Sequence, residues 1–140
     1  MGILACASRE ALEEAAENIG NRPPIEWLRR PHIGLVLVRG RLGGTGNPFN
    51  LGEMTVTRCA LRLACGTVGL AYVQGRDRRH AELAAIMDAL LQKPEKYDAV
   101  MLSVIQPLLA KQIERRTLAS RKAASTRVDF FTMVRGENPA

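Results

Sequence analysis

The feature that most constrains this chain is the period-two alternation running from Glu53 to Ala64 and again from Thr67 to Gln74, on either side of Cys65-Gly66. Side chains that change face at every residue belong to strands, and two such runs around a Gly-containing turn read as a β-hairpin. A two-residue Cys65-Gly66 turn, with Gly supplying a positive φ, sets Ala64 opposite Thr67. That register predicts Leu63–Val68, Leu61–Leu70, Cys59–Tyr72 and Thr57–Gln74 on a core face. Arg62–Gly69, Ala60–Ala71 and Arg58–Val73 fall on the other. The second face, two Arg over small residues, is either wet or a docking surface, so Arg58 and Arg62 are candidate interface residues.

The remaining elements follow from caps and breakers. Ser8 can cap a helix with the stripe Leu12, Ala15, Ala16 and Ile19, which Gly20 ends. Pro23-Pro24 opens a connector through Trp27 to Pro31, and Ile33 to Arg41 reads as a strand. The Gly-rich stretch 40–51 reads as a surface loop. Asp77 is a good N-cap for a helix to about Gln92, with Leu83, Ile86, Met87, Leu90 and Leu91 as its buried stripe. A further helix is expected over Tyr97–Gln106, and Pro107 either kinks it or opens the basic helix beyond. The expected fold is α+β in one domain, residues 1–140. A small antiparallel sheet (strands near 33–41, 53–64 and 67–74) is covered on one side by helices, followed by a basic C-terminal helix and an extended, docked tail.

Composition narrows the class. A chain of 140 residues with 46% hydrophobic and 24% charged content can bury one core. No apolar run reaches the ~18–20 residues of a membrane span and no leader pattern is visible, so a cytoplasmic protein is expected. Cys6, Cys59 and Cys65 lack C-x-x-C spacing and read as buried free thiols. Net charge is +6. Residues 107–127 carry Lys111, Arg115, Arg116, Arg121, Lys122 and Arg127 against Glu114. Such a segment suits nucleic acid, phosphate-bearing substrates or an acidic protein, or is a solvated helix face. Without an aromatic stacking platform or a DNA-binding motif, a stand-alone basic nucleic-acid-binding protein is the secondary reading.

Candidate chemistry is sparse. His80-Ala81-Glu82 has the H-x-E form of zinc deaminases but lacks their P-C-x-x-C partner, so a packed structural histidine is favoured. Gly43-Gly44-Thr45-Gly46 leads into Asn47-Pro48 rather than a Lys-Ser/Thr helix start, which favours a surface loop over a phosphate cradle. Arg76, Arg78 and Arg79 surround a helix N-terminus and are the candidate phosphate or partner contacts. Their alternative is ion pairing of Arg76 or Arg79 with Glu53, Asp88 or Glu82. No nucleophile–base set or metal-ligand pattern stands out, so no catalytic, cofactor-binding or metal residue is assigned.

The end of the chain, Arg127 to Asn138, is apolar and alternating where termini are usually polar and frayed. It should be docked in its own fold or on a partner, and Arg127, Phe130, Phe131 and Arg135 are candidate interface residues. This tail resembles the closing motif of the G subunit of the bacterial carbon–phosphorus lyase system, the PhnG family. Gly43–Gly46, Gly52–Ala60, Gly75–Asp77 with His80–Glu82, and Asp88–Leu90 match the family in the same order, over roughly residues 33–138. Glu137 stands where an Asp is common. The family usually begins with a longer helix than Gly2–Ala7, which implies a trimmed member or an upstream start.

The resemblance implies a function that the residues alone do not. G, H and I subunits, helped by the L subunit, join an alkylphosphonate to the anomeric carbon of ATP and release adenine, forming α-D-ribose 1-methylphosphonate 5-triphosphate. The J subunit cleaves the carbon–phosphorus bond later. It also implies that catalysis of the first step lies on the I subunit and that this chain is a supporting component. On that basis it binds no cofactor itself, and ATP with Mg is the substrate of the complex.

Overall fold

The computed structural model describes residues 1–20 and 23–127. Two short helices, α1 (Gly2–Cys6) and α2 (Arg9–Ile19), precede three strands, β1 (Ile25–Arg41), β2 (Pro48–Leu63) and β3 (Val68–Gln74). Helices α3 (Arg78–Leu91), α4 (Pro94–Val100) and α5 (Gln106–Ser125) follow, with a π turn at Met101–Ile105 between the last two. The strands form one antiparallel sheet in the order β1-β2-β3. The α+β expectation therefore holds, with helices on one face.

Local signals act where expected. Ser8 Oγ accepts from the Ala11 N–H at 3.2 Å, Asp77 Oδ1 accepts from the His80 N–H at 2.9 Å, and Gly20 ends α2 at φ +85°. Pro107 lies at the start of α5. The wider π turn precedes it, where a regular helix would bring the ring against the carbonyl of residue 103.

Two strand boundaries differ from the sequence expectation, and the helix expected over Tyr97–Gln106 begins at Pro94 and gives way to the π turn. The connector 25–31 is strand, because Pro31 needs no ladder hydrogen bond on the edge strand β1. The irregularity emerges as register shifts on either side of Arg29. The expected loop 40–51 shrinks to a tight end at Leu42–Gly44, and β2 already begins at Pro48, a strand position where Pro is tolerated. Beyond β3 the two long strands continue alone as a hairpin arm that exposes Leu35, Leu37, Leu42, Phe49 and Leu51.

The β2–β3 register is the main correction. The turn has three residues, Ala64-Cys65-Gly66, closed by Leu63 N–H to Thr67 O at 2.9 Å and Gly66 N–H to Leu63 O at 2.8 Å. The extra turn residue slips β3 by one position and reverses all its side chains. Leu61 now faces Gly69, Cys59 faces Ala71 and Thr57 faces Val73 on the helix-covered side. Leu70 and Tyr72, expected in the core, lie outside opposite Ala60 and Arg58.

Helix packing explains which register prevails. A Cβ at Gly69 would fall on the Ala85 carbonyl oxygen and 2.8 Å from Ala89 Cβ. Helix α3 thus lies closely on the small-residue face of β3, which Leu70 or Tyr72 would hold away. Leu83, Ile86, Met87 and Leu90 turn toward Ala16 and Ile19 of α2. With nine of its residues buried, α3 is the central core element. Full burial of a Leu such as Leu83 or Leu61 contributes about 1.5–3 kcal/mol. The outer edge of β3 is shielded by side chains of α3 and its C-cap: Asp88 Oδ2 accepts from the Leu70 N–H at 3.1 Å, and Gln92 Nε2 donates to Val68 O at 2.8 Å.

Candidate functional site

Arg58, on the central strand, stands in register with His32 of β1 and Tyr72 of β3 on the outer face. Arg62 faces Val68 and donates to Glu26 Oε2 of β1 at 3.3 Å. Tyr72 and Val68, not the expected Val73 and Gly69, therefore stand opposite Arg58 and Arg62. Leu28, Arg29, Arg58, Ala60, Leu70 and Tyr72 line an open groove of about 560 Å³ on this face. Met1, at the start of α1, also borders it, and the groove is both apolar and cationic.

The cluster at the start of α3 is divided. Arg79 lies 3.0 Å from Glu82 and 3.7 Å from Glu13, while Arg9 reaches Glu13 at 3.8 Å and Asp77 at 3.9 Å. These pairs are partly exposed, Glu82 the least so, and are worth ~0.2–1 kcal/mol. Arg76 and Arg78 are exposed beside them, so the open cations at this end are two of the three singled out. The Glu82 pairing anticipated for Arg79 forms. Asp88 is instead committed to the β3 edge.

His80 is buried, and its Nε2 lies 2.8 Å from the Leu4 carbonyl oxygen. A carbonyl only accepts, so Nε2 carries the proton and the ring ties α3 to α1. This is the structural histidine expected from the sequence. Among the described residues, no three His, Cys, Asp or Glu side chains gather as a metal cluster.

The thiols behave differently from one another, and only one fits the buried reading. Cys59 is buried, donates to Ala81 O at 3.1 Å, and has its pKa pushed up to about 11 by burial and then by the charge of Glu82. Cys6 and Cys65 are exposed. Cys65 is drawn down to about 7 by hydrogen bonding from Thr67 and Lys93.

Helix α5 buries only Leu108 and carries Lys111, Arg115 and Lys122 around a shallow groove with Leu118 and Ala119. Arg127 follows it and is exposed. Phe130, Phe131, Arg135 and the tail expected to be docked lie outside the described residues. No described helix is long and apolar enough to cross a membrane. Sequence reasoning missed Leu28, Arg29, Leu70 and Tyr72 as surface residues. The available signal was Gly69-x-Ala71, a small-residue alternation that fits the face beneath a helix.

The described residues thus form a small α+β domain with helices on one sheet face and an open groove on the other. The match to the PhnG family, described as phosphonate metabolism protein PhnG, spans residues 1–136, and the chain belongs to that family. It is 46% identical over 138 residues to the alpha-D-ribose 1-methylphosphonate 5-triphosphate synthase subunit PhnG of Rhizobium meliloti (strain 1021). That alignment covers 99% of this chain and 88% of the relative.

Proposed function

We propose that this chain is a supporting subunit of a cytoplasmic enzyme complex that transfers an alkylphosphonate to the anomeric carbon of ATP. In that reaction the ribose–adenine bond breaks, a phosphonate oxygen bonds to the same carbon, and adenine leaves. The end-to-end similarity to a named synthase subunit carries this reading. The H, I and J subunits are its direct partners, and the L subunit assists. The I subunit supplies the catalytic groups, and ATP with Mg is bound by the complex rather than by this chain.

Its contribution is to keep water from competing with phosphonate. A ribosyl centre that has lost adenine reacts with whichever nucleophile reaches it, and closing the site removes the abundant one. The exposed Arg76 and Arg78, near the N-terminal end of α3, favour a phosphonate dianion close by.

Phosphorus NMR of an ATP–methylphosphonate reaction, with and without this chain, tests the assignment. Omission should shift product from ribose methylphosphonate triphosphate to ribose triphosphate while adenine release persists. Undiminished phosphonate transfer without the chain would remove the proposed role.

A further inference from the structure

The outer sheet face combines apolar exposure with unanswered positive charge. Leu28, Leu70 and Tyr72 expose 43, 57 and 46% of their surface. A contiguous apolar patch of this kind marks an interaction site more often than solvent-facing protein. Among the described residues, neither Arg29 nor Arg58 has a hydrogen bond or ion pair, and Arg58 Nε is shielded from water as well. The His32 ring and the Arg58 guanidinium both end over Gly34, 3.9 and 4.0 Å from where a Cβ would stand. The three strands contain two acidic residues, Glu26 and Glu53. Glu26 is held by Arg62, and Glu53 lies along the arm opposite Leu37. The chain itself therefore places no carboxylate from the sheet beside Arg29 and Arg58.

Building on the assembly-subunit reading, we infer that this groove seats an acidic–apolar segment of a partner protein. Acidic side chains of that segment pair with Arg58 and Arg29, and its apolar residues cover Leu28, Leu70 and Tyr72. Arg binds a carboxylate through two parallel hydrogen bonds, and a half-desolvated guanidinium gains more from that pairing than an exposed one. Arg and Tyr are also the residue types that anchor interfaces. A nucleic acid would call for a stripe of cations along its backbone, whereas here the half-buried Arg58 and the exposed Arg29 stand beside Leu28, Leu70 and Tyr72. Arg62 is excluded as the anchor because Glu26 already occupies it.

The test uses the full chain co-expressed with the H, I and J subunits. A benzoylphenylalanine at position 72 in place of Tyr72 should cross-link, on irradiation, to a partner peptide in which Asp or Glu is flanked by apolar residues. The chain's own segment 128–140 contains Asp129-Phe130-Phe131 and has similar chemistry. A cross-link to that segment, to a second copy, or to a peptide lacking an acidic residue would overturn the inference.

In parallel, R29E/R58E should weaken association at least about tenfold and reduce its salt dependence, with the melting of the isolated variant unchanged. R62E, outside the proposed anchor, should stay within about threefold of the parent chain. If R29E/R58E does not fold, R29Q/R58Q should show the same loss. Assembly of the parent chain and of either folded double variant with equal affinity would reject the groove and leave the subunit reading standing. Failure of the parent chain to assemble at all would reject both.

Discussion

Gly69 and Ala85 stand so close that a side chain on the first would occupy the carbonyl oxygen of the second. This contact sets the distance between β3 and α3, and with it the side of the sheet on which Leu70 and Tyr72 emerge.

Substituting Gly69→Ala should therefore destabilise the protein by about 1–3 kcal/mol, because strand or helix must shift to admit one methyl group. Gly52→Ala is the matched control, since a Cβ there meets nothing within 4 Å. It should be neutral or stabilise by up to ~1 kcal/mol through the unfolded chain. Urea unfolding of both variants, compared with the parent, reads the difference. Equal stabilities would mean that the helix is not held at this distance.

His80→Ala should lower stability by ~1–3 kcal/mol, because the buried Leu4 carbonyl loses its shorter hydrogen bond and keeps only the 3.4 Å one from the Ala7 N–H. Within an assembled complex at a temperature where the variant remains folded, turnover should be unchanged. Loss of turnover in an intact, folded complex would instead give the ring a chemical role.

Two neighbours at the start of α3 should separate cleanly. Asp77→Ala removes an N-cap and should cost ~0.5–2 kcal/mol. Arg79→Ala removes partly exposed ion pairs to Glu13 and Glu82 and should cost about 1 kcal/mol. Thermal melts at low and high salt decide the matter: salt should shrink the Arg79 effect and largely spare that of the cap.

The thiols should titrate apart. Thiolate is the reactive form, so alkylation of Cys65 should rise with pH to a half-maximum near 7 and level off above it. Cys59, held as a thiol until about pH 11 and buried, should resist labelling throughout the neutral range. Mass spectrometry after brief iodoacetamide exposure from pH 6 to pH 9 resolves the two sites. Equal rates at Cys59 and Cys65 would show that α3 opens readily from the sheet.

Much of the fold was legible from local chemistry. The caps Ser8 and Asp77, the Gly20 stop, the amphipathic stripe of α3 and the strand character of β2 depend on residues within a few positions of one another. Such interactions are written directly in spacing and residue type. The basic helix and the family membership were legible for the same reason, since charge order and motif order survive without coordinates.

The register of β3 was decided elsewhere. Either phase places Val, Leu, Ala and Tyr in a plausible strand, and periodicity alone does not choose between a two-residue and a three-residue turn around Gly66. The choice depends on Ala85 and Ala89, which approach from a helix that begins beyond the strand and require Gly69 beneath them. The same long-range packing made Pro31 part of an edge strand and turned Arg29, Leu70 and Tyr72 outward. Likewise, it gave Arg62 to Glu26 and left Arg58 without an anion. Sequence determined the caps, the helix stripes and the centres of the strands, because those are local, but not that 25–31 and 48–52 extend β1 and β2. Tertiary packing determined which side of each segment faces water, because that depends on what lies against it.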